Sequence, residues 1–257
     1  MIPIKDDIPS RSSPLVNYAL IGACALGFMV QVFGGSEAAL VETYGLIPAR
    51  VVHPDARIVV RDLVPRRTFF GTQLVQAYRE LPPPRVSPWL TLLTCMFLHG
   101  GWLHFLGNAW FLHIFGDNVE DRLGHLGYLF FYLFTGIASS AIHILSDPGS
   151  TIPTIGASGA ISGVMGAYLF LYPKARILTI VPIFFLIQTL ILPAPIFLGI
   201  WFLFQFAQGV LPVTSMEAGG VAVWAHIGGF VAGLILAMLL AATHRLGPRP
   251  TQRSWED

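Results

Sequence analysis

The sequence predicts an all-α membrane protein, a six-transmembrane-helix bundle with a long helical loop after the first helix. Three observations carry this. Of its 257 residues, 54% are apolar and only 11% charged, with a mean hydropathy of +0.66, whereas soluble domains carry about 25% charged residues. Apolar runs near the ~20 residues needed to cross a ~30 Å hydrocarbon core recur along the chain. Each run is bounded by charged residues, proline or glycine. Lipid is therefore the solvent for most of the chain. The formal net charge of +1 argues against an electrostatic nucleic-acid binder. Cys24 and Cys95 form neither a CxxC nor a Cys/His spacing, so neither a disulfide framework nor a structural zinc site is expected.

The opening MIPIKDDIPSRSSP carries Asp6 and Asp7 and no small-residue cleavage site. It reads as a polar cytoplasmic tail over residues 1–15, not as a signal peptide. The first crossing is Val16 to Phe33. The stretch from Gly34 to Gly101 mixes Arg50, Arg57, Arg61, Arg66, Arg67, Arg79 and Arg85 with acidic residues. It is too long for a featureless loop and is expected to form short helices on the bilayer surface. Further crossings are expected at Trp102 to Val119, Leu126 to Leu145, Ser158 to Tyr172, Ala194 to Val210 and Val221 to Ala242. Residues 16–243 then form one membrane domain and 244–257 a cytoplasmic tail. Lys174, Arg176, Arg245, Arg249 and Arg253 should face the cytoplasm.

Ser158 lies in Gly156-Ala157-Ser158-Gly159, after Pro153 and Gly156, which break any helix upstream. It therefore sits at a helix start, where the first N–H groups lack internal partners and favour a negative oxygen. A serine there can attack a carbonyl while N–H groups hold the oxyanion. Two bland readings compete: serine is a favoured N-cap, and Gly159, Gly163 and Gly166 are the small residues by which membrane helices pack. The soluble-hydrolase elbow Gly-x-Ser-x-Gly is absent, because position 160 is Ala.

His226 begins the last crossing in Ala225-His226-Ile227-Gly228-Gly229. An ionisable side chain within a span is a functional candidate, although a buried histidine bonded to nearby backbone is the competing reading. Gly229 and Gly233 form a small-xxx-small face that could meet the glycines following Ser158. For Ser158 and His226 to meet, an odd number of crossings must separate their helices. The run Ile177 to Leu192, bounded by Pro193 and interrupted by Pro182, must then stay at the cytoplasmic interface. This choice also puts Lys174, Arg176 and the C-terminal arginines on one side. No acidic residue lies in the fourth or sixth crossing, and Glu217 is in a loop, so a Ser–His pair without a carboxylate is the economical reading.

In the second crossing His104 and Asn108 are i,i+4 on one helical face, and both carry N–H donors. They could complete an oxyanion hole or simply bond neighbouring helices. His99, His104 and His113 lack an HExxH pattern or a companion carboxylate, so no metal is expected.

GASG around Ser158, AHIGGFVAG around His226 and HFLGN ending at Asn108, on three crossings in this order, together resemble the rhomboid family of intramembrane serine proteases. The opening MIPIKDDIPS and the stretch PKARILTIVPIFF look like the family's bacterial members. The resemblance implies a six-helix core in a bacterial plasma membrane, with both termini cytoplasmic and water entering from the extracytoplasmic side. It implies Ser158 as nucleophile, His226 as general base, and His104, Asn108 and the Ser158 backbone N–H as the oxyanion hole. Substrates would be single-span membrane proteins, cut near small residues in helix-destabilising segments, with no metal or organic cofactor and no nucleic acid. One departure stands out: some members have a tyrosine four residues after the nucleophile that packs on the histidine, and here that position is Ser162. A non-catalytic scaffold binding membrane helices need not keep Ser158, His226 and Asn108. A transporter would be expected to carry charged residues or paired broken helices at mid-membrane.

Overall fold

The computed structural model describes residues 1–68, 71–183, 186–210, 223–243 and 245–248. The expected crossing start at Val221, the loop containing Glu217, and His244, Arg249 and Arg253 lie outside the described residues.

The chain is mostly helical. It opens with strand β1 (Ile2–Asp6), followed by helix α1 (Leu15–Phe33) and two short helices, α2 (Glu37–Tyr44) and α3 (Pro48–Val52). Strands β2 (Val59–Thr68) and β3 (Gly71–Glu80) come next, then helical turns at Pro88–Leu90 and Cys95–Phe97 around α4 (Thr91–Thr94). The long helices α5 (Trp102–Leu123) and α6 (His125–Ser146) and the shorter α7 (Ser158–Leu171) follow. Strands β4 (Arg176–Ile183) and β5 (Leu186–Pro193) separate α7 from α8 (Ala194–Val210), and α9 (Val223–Ala242) ends the bundle.

Helices α1, α6 and α9 are long and apolar enough to cross a membrane. Helix α5 joins them when counted with the segment Pro88–Phe97, from which it turns by 81°. Helices α7 and α8 are shorter and apolar. Gly101, at φ 135°, makes the turn into α5, a backbone conformation that L side chains rarely adopt.

Two sheets correct the all-α expectation. The stretch after α1 is only partly helical: β2 and β3 form an antiparallel hairpin, Val59 opposite Glu80. Its residues include β-branched Val59, Val60, Val64, Thr72 and Val75, which suit a pleated strand better than a helix. The opening segment is not a free tail. β1 pairs antiparallel with β4, which pairs with β5, in the order β1-β4-β5. The described residues of Ile177–Leu192 thus pair as two antiparallel strands. The Ile, Val and Thr residues there favour strands, and strand pairing satisfies backbone groups that a helix would satisfy internally.

Buried polar groups fasten the helices. The Glu120 carboxylate accepts from the backbone N–H of Val16 (3.0 Å) and Asn17 (2.7 Å), satisfying free donors at the start of α1. Asn17 donates to the Leu112 carbonyl at 3.0 Å and accepts from the Tyr128 hydroxyl at 2.8 Å, tying α1, α5 and α6 together. Gln31 donates to the His99 carbonyl (2.7 Å) and accepts from its N–H (3.0 Å), which fixes the turn leading to His104.

One end of the bundle gathers β1, the end of α5 and the residues after α9. Gly247 N–H donates to the Arg122 carbonyl at 2.8 Å, and the Arg11 guanidinium to the Pro248 carbonyl at 3.2 Å. The starts of α5, α7 and α9 lie at the other end.

Candidate active site

The loop entering α7 is held without regular secondary structure. Leu46 and Thr154 exchange backbone hydrogen bonds of 2.9 and 2.7 Å, and Gly156 N–H donates to the Cys95 carbonyl at 2.9 Å. Irregular backbone among membrane helices needs such partners. Gly156 has φ 128°, and a Cβ there would meet the His104 ring at 2.8 Å. Only glycine lets the chain turn into α7 this close to His104.

Ser158 is the first residue of α7, after Ala157 at the N-cap, and no side chain caps this helix. The Ser158 hydroxyl is instead 2.7 Å from His226 Nε2. His226 stands one turn into α9. Helices α7 and α9 approach closely because their facing positions are glycines. A Cβ on Gly229 would overlap the Gly159 carbonyl, one on Gly233 the Gly163 carbonyl, and one on Gly166 the Phe230 carbonyl. The start of α9 is also tied to α6, where the Ser139 hydroxyl donates to the Ala225 carbonyl at 2.8 Å.

The other His226 nitrogen, Nδ1, lies 2.8 Å from Gln205 Oε1 on α8. The Trp201 ring, one turn earlier on α8, sits 6.2 Å from the imidazole between centroids. Ser162, where the resemblance leads one to look for an aromatic ring, donates to the Ser158 carbonyl at 2.6 Å. Sequence reasoning missed Gln205. Its one signal is polarity inside an apolar helix, and Gln208 shares that signal while lying exposed.

A cavity of about 530 Å³ opens beside the pair and is lined by His104, Asn108, Ser158, Trp201, Gln205 and His226, among others. His104 Nδ1 accepts from Gly100 N–H at 3.2 Å. A neutral His104 thus carries its proton on Nε2, the nitrogen beside Gly156. The Asn108 side-chain nitrogen is buried and has no partner among the described residues. Two side chains on one face of α5, His104 and Asn108, thus line the same cavity as Ser158.

The other histidines of this region do different work. The His99 ring packs edge-on against Phe28, Phe105 and His104. His113 stacks with Tyr18. Among the described residues, no three His, Cys, Asp or Glu side chains converge as metal ligands would. Cys24 and Cys95 are buried, separate thiols.

Comparison with known proteins agrees with this architecture. The Rhomboid domain matches residues 87–243, well over half of the chain. RHOMBOID-like protein 5 of Arabidopsis thaliana is 29% identical over 160 residues, covering 61% of this chain and 45% of its own length. Rhomboid protease GluP of Bacillus subtilis (strain 168) is 34% identical over 152 residues, 59% of this chain and 26% of its own. Rhomboid-like protein 11, chloroplastic, of Arabidopsis thaliana is 34% identical over 94 residues, 37% of this chain and 31% of its own. The matched part of the chain spans less than half the length of each of these relatives. The apolar helices make this an integral membrane protein, and the domain match together with the motifs on α5, α7 and α9 establishes that the chain belongs to the rhomboid family.

Proposed function

We propose that this protein is an intramembrane serine endopeptidase that hydrolyses peptide bonds in or near the membrane spans of single-span proteins. The observation that carries the reading is the 2.7 Å contact between the Ser158 hydroxyl and His226 Nε2, beside a cavity into which Asn108 brings an unpartnered donor. In this reading α1, α5, α6, α7, α8 and α9 are six crossings, and the β4–β5 hairpin stays at the interface. Residues 16–243 are the membrane domain, flanked by residues 1–15, whose strand β1 pairs with β4, and by residues 244–257. Both flanking segments lie on the cytoplasmic side of a bacterial plasma membrane, the side that basic residues such as Lys174, Arg176 and Arg245 favour.

His226 takes the Ser158 proton as the hydroxyl oxygen attacks the scissile carbonyl. The tetrahedral oxyanion is held by His104 Nε2–H, the Asn108 amide and the Ser158 backbone N–H, a free donor at the start of α7. His226 then gives its proton to the leaving amine, and water activated by the same imidazole cleaves the acyl-enzyme. Gly159, Gly163, Gly166, Gly229 and Gly233 serve as the close-packing surface that brings the two helix starts together. No metal or organic cofactor enters these steps. A substrate helix has its backbone groups already paired, so it must unwind locally before attack. Movement of α8 about Pro193, Pro195 and Gly199 would admit it, and cross-linking α8 to α5 should then stop cleavage.

A panel of single-span substrates in liposomes tests the assignment. Wild type should cleave, and Ser158→Ala and His226→Ala should each lose essentially all turnover. Cleavage by Ser158→Ala at the wild-type rate would end the protease reading at this residue. A scaffold that only binds membrane helices would cleave nothing in either form.

A further inference from the structure

We propose that Gln205 is a positioning residue that fixes the tautomer and orientation of His226. The inference rests on the Ser158–His226 reading above. A neutral imidazole has one N–H donor and one acceptor nitrogen. To take the Ser158 proton, Nε2 must be the acceptor, so the ring proton must reside on Nδ1. Which nitrogen holds the proton is set by the hydrogen bond that the other makes. Gln205 Oε1, 2.8 Å from Nδ1, is an acceptor in the right place. Without it, nothing in the contact with Ser158 prevents the proton from occupying Nε2, where the ring cannot act as base.

The surroundings support a specific role. Helix α8 reads APIFLGIWFLFQFAQGV, with Gln205 and Gln208 its polar side chains. Gln208 is exposed, whereas Gln205 turns inward and lines the cavity with Trp201, which precedes it by one turn. The intervening and following Leu203, Phe204 and Phe206 face outward. An amide turned into an apolar bundle is retained at a cost unless it is hydrogen-bonded. Ser162 bonds to the Ser158 carbonyl, and so leaves the Nδ1 side of the ring to Gln205.

Gln205 also acts after proton transfer. The imidazolium carries N–H on both nitrogens, and the Gln205 carbonyl dipole stabilises the Nδ1–H of the charged ring. Because the group sits on α8, ring orientation becomes a property of how that helix is seated. Ala194, Phe197 and Leu198 bury the beginning of α8, and Gln205 lies nearer its far end.

The test uses Gln205→Leu, which removes the acceptor, and Gln205→Glu, which keeps an acceptor oxygen at the same reach. Wild type, both variants and Ser158→Ala are assayed in liposomes on one single-span substrate. The 15N spectra of histidine-labelled protein are recorded alongside, with the His226 signals identified by their loss in His226→Ala. Wild type should show Nδ1 protonated and Nε2 unprotonated. Gln205→Leu should shift the ring toward the other tautomer. Its kcat should fall about tenfold to a hundredfold, the range for losing a hydrogen bond to a group that becomes charged, with KM little changed. Gln205→Glu should recover most of kcat. A wild-type ring protonated on Nε2, or a Gln205→Leu enzyme with unchanged kcat and tautomer, overturns the proposal. Cleavage that does not depend on Ser158 instead overturns the protease reading, and the spectra still decide the role of Gln205.

Discussion

Ser158 and Asn108 illustrate how much one side chain's chemistry depends on what is left unbonded. Ser158 is the first residue of α7, past the N-cap Ala157, and its hydroxyl bonds His226 at 2.7 Å across the helix interface. Asn108 has a buried amide nitrogen with no partner among the described residues, a state that costs about 1–3 kcal/mol unless a ligand supplies the acceptor. A developing oxyanion is such an acceptor. Asn108→Ala is therefore expected to lower kcat about 10²- to 10³-fold, the usual effect of removing one oxyanion donor. KM should change little, because the contact is made chiefly in the transition state. Steady-state cleavage in liposomes separates the two constants.

At the scale of elements, the contact between α7 and α9 is what allows two residues 68 positions apart to meet. Glycine is needed where backbone faces backbone: at Gly166 against Phe230, and at Gly233 against Gly163. Gly166→Ala and Gly233→Ala should each force the helices apart and destabilise the fold by about 1–3 kcal/mol, the range for overpacking. Cleavage should fall as well, since the Ser158–His226 distance grows with the helix separation. Gly22→Ala on α1 is the matching control. A Cβ there meets nothing within 4 Å, so that change should be neutral or stabilise by about 0.5–1 kcal/mol through helix propensity. Thermal unfolding in detergent compares the three variants, and equal loss in all would remove the packing argument.

For the whole molecule, the end opposite Ser158 and His226 is closed by the N-terminal strand. Asp6 accepts from the Asn118 amide at 2.8 Å and from the Tyr168 hydroxyl, joining β1 to α5 and α7. Trp110 Nε1–H donates to the Pro3 carbonyl at 2.6 Å. Burial, the largest cause, pushes the Asp6 carboxyl from its ordinary 3.8 up to about 7, with the Asp117 and Asp7 carboxylates adding to the rise and Tyr168 opposing it. The folded protein thus keeps a proton that the unfolded chain releases. Anchoring of β1 is then strongest below pH 3.8, weakens as pH rises from there to about 7, and levels off above that. Amide exchange across Ile2–Asp6, corrected for intrinsic rates, should quicken from about pH 4 to about pH 7 and then level off. Asp6→Asn should flatten this dependence. An unchanged pH profile in that variant would assign the effect to another group.

Much of this was legible in the residue order. The apolar helices follow from contiguous apolar runs, because suitability for lipid is a property of local composition and length. Family membership follows from motifs around Asn108, Ser158 and His226, each a few residues long. The β1–β4 pairing was not legible: Ile2–Asp6 is polar enough to be a tail, and only the distant partner Arg176–Ile183 makes it a strand. The β2–β3 hairpin was obscured by the charged residues spread along it. Gln205 reads as one of two glutamines on α8, and its neighbour in space, His226, is 21 residues away. The sequence alone determined which segments are apolar enough for lipid and which side chains could carry chemistry, since both depend on residue type and short spacing. Tertiary packing alone decided which nitrogen of His226 faces Ser158, what holds the other, and which donors stay unpaired, because a hydrogen-bond partner is chosen by the approach of separate helices.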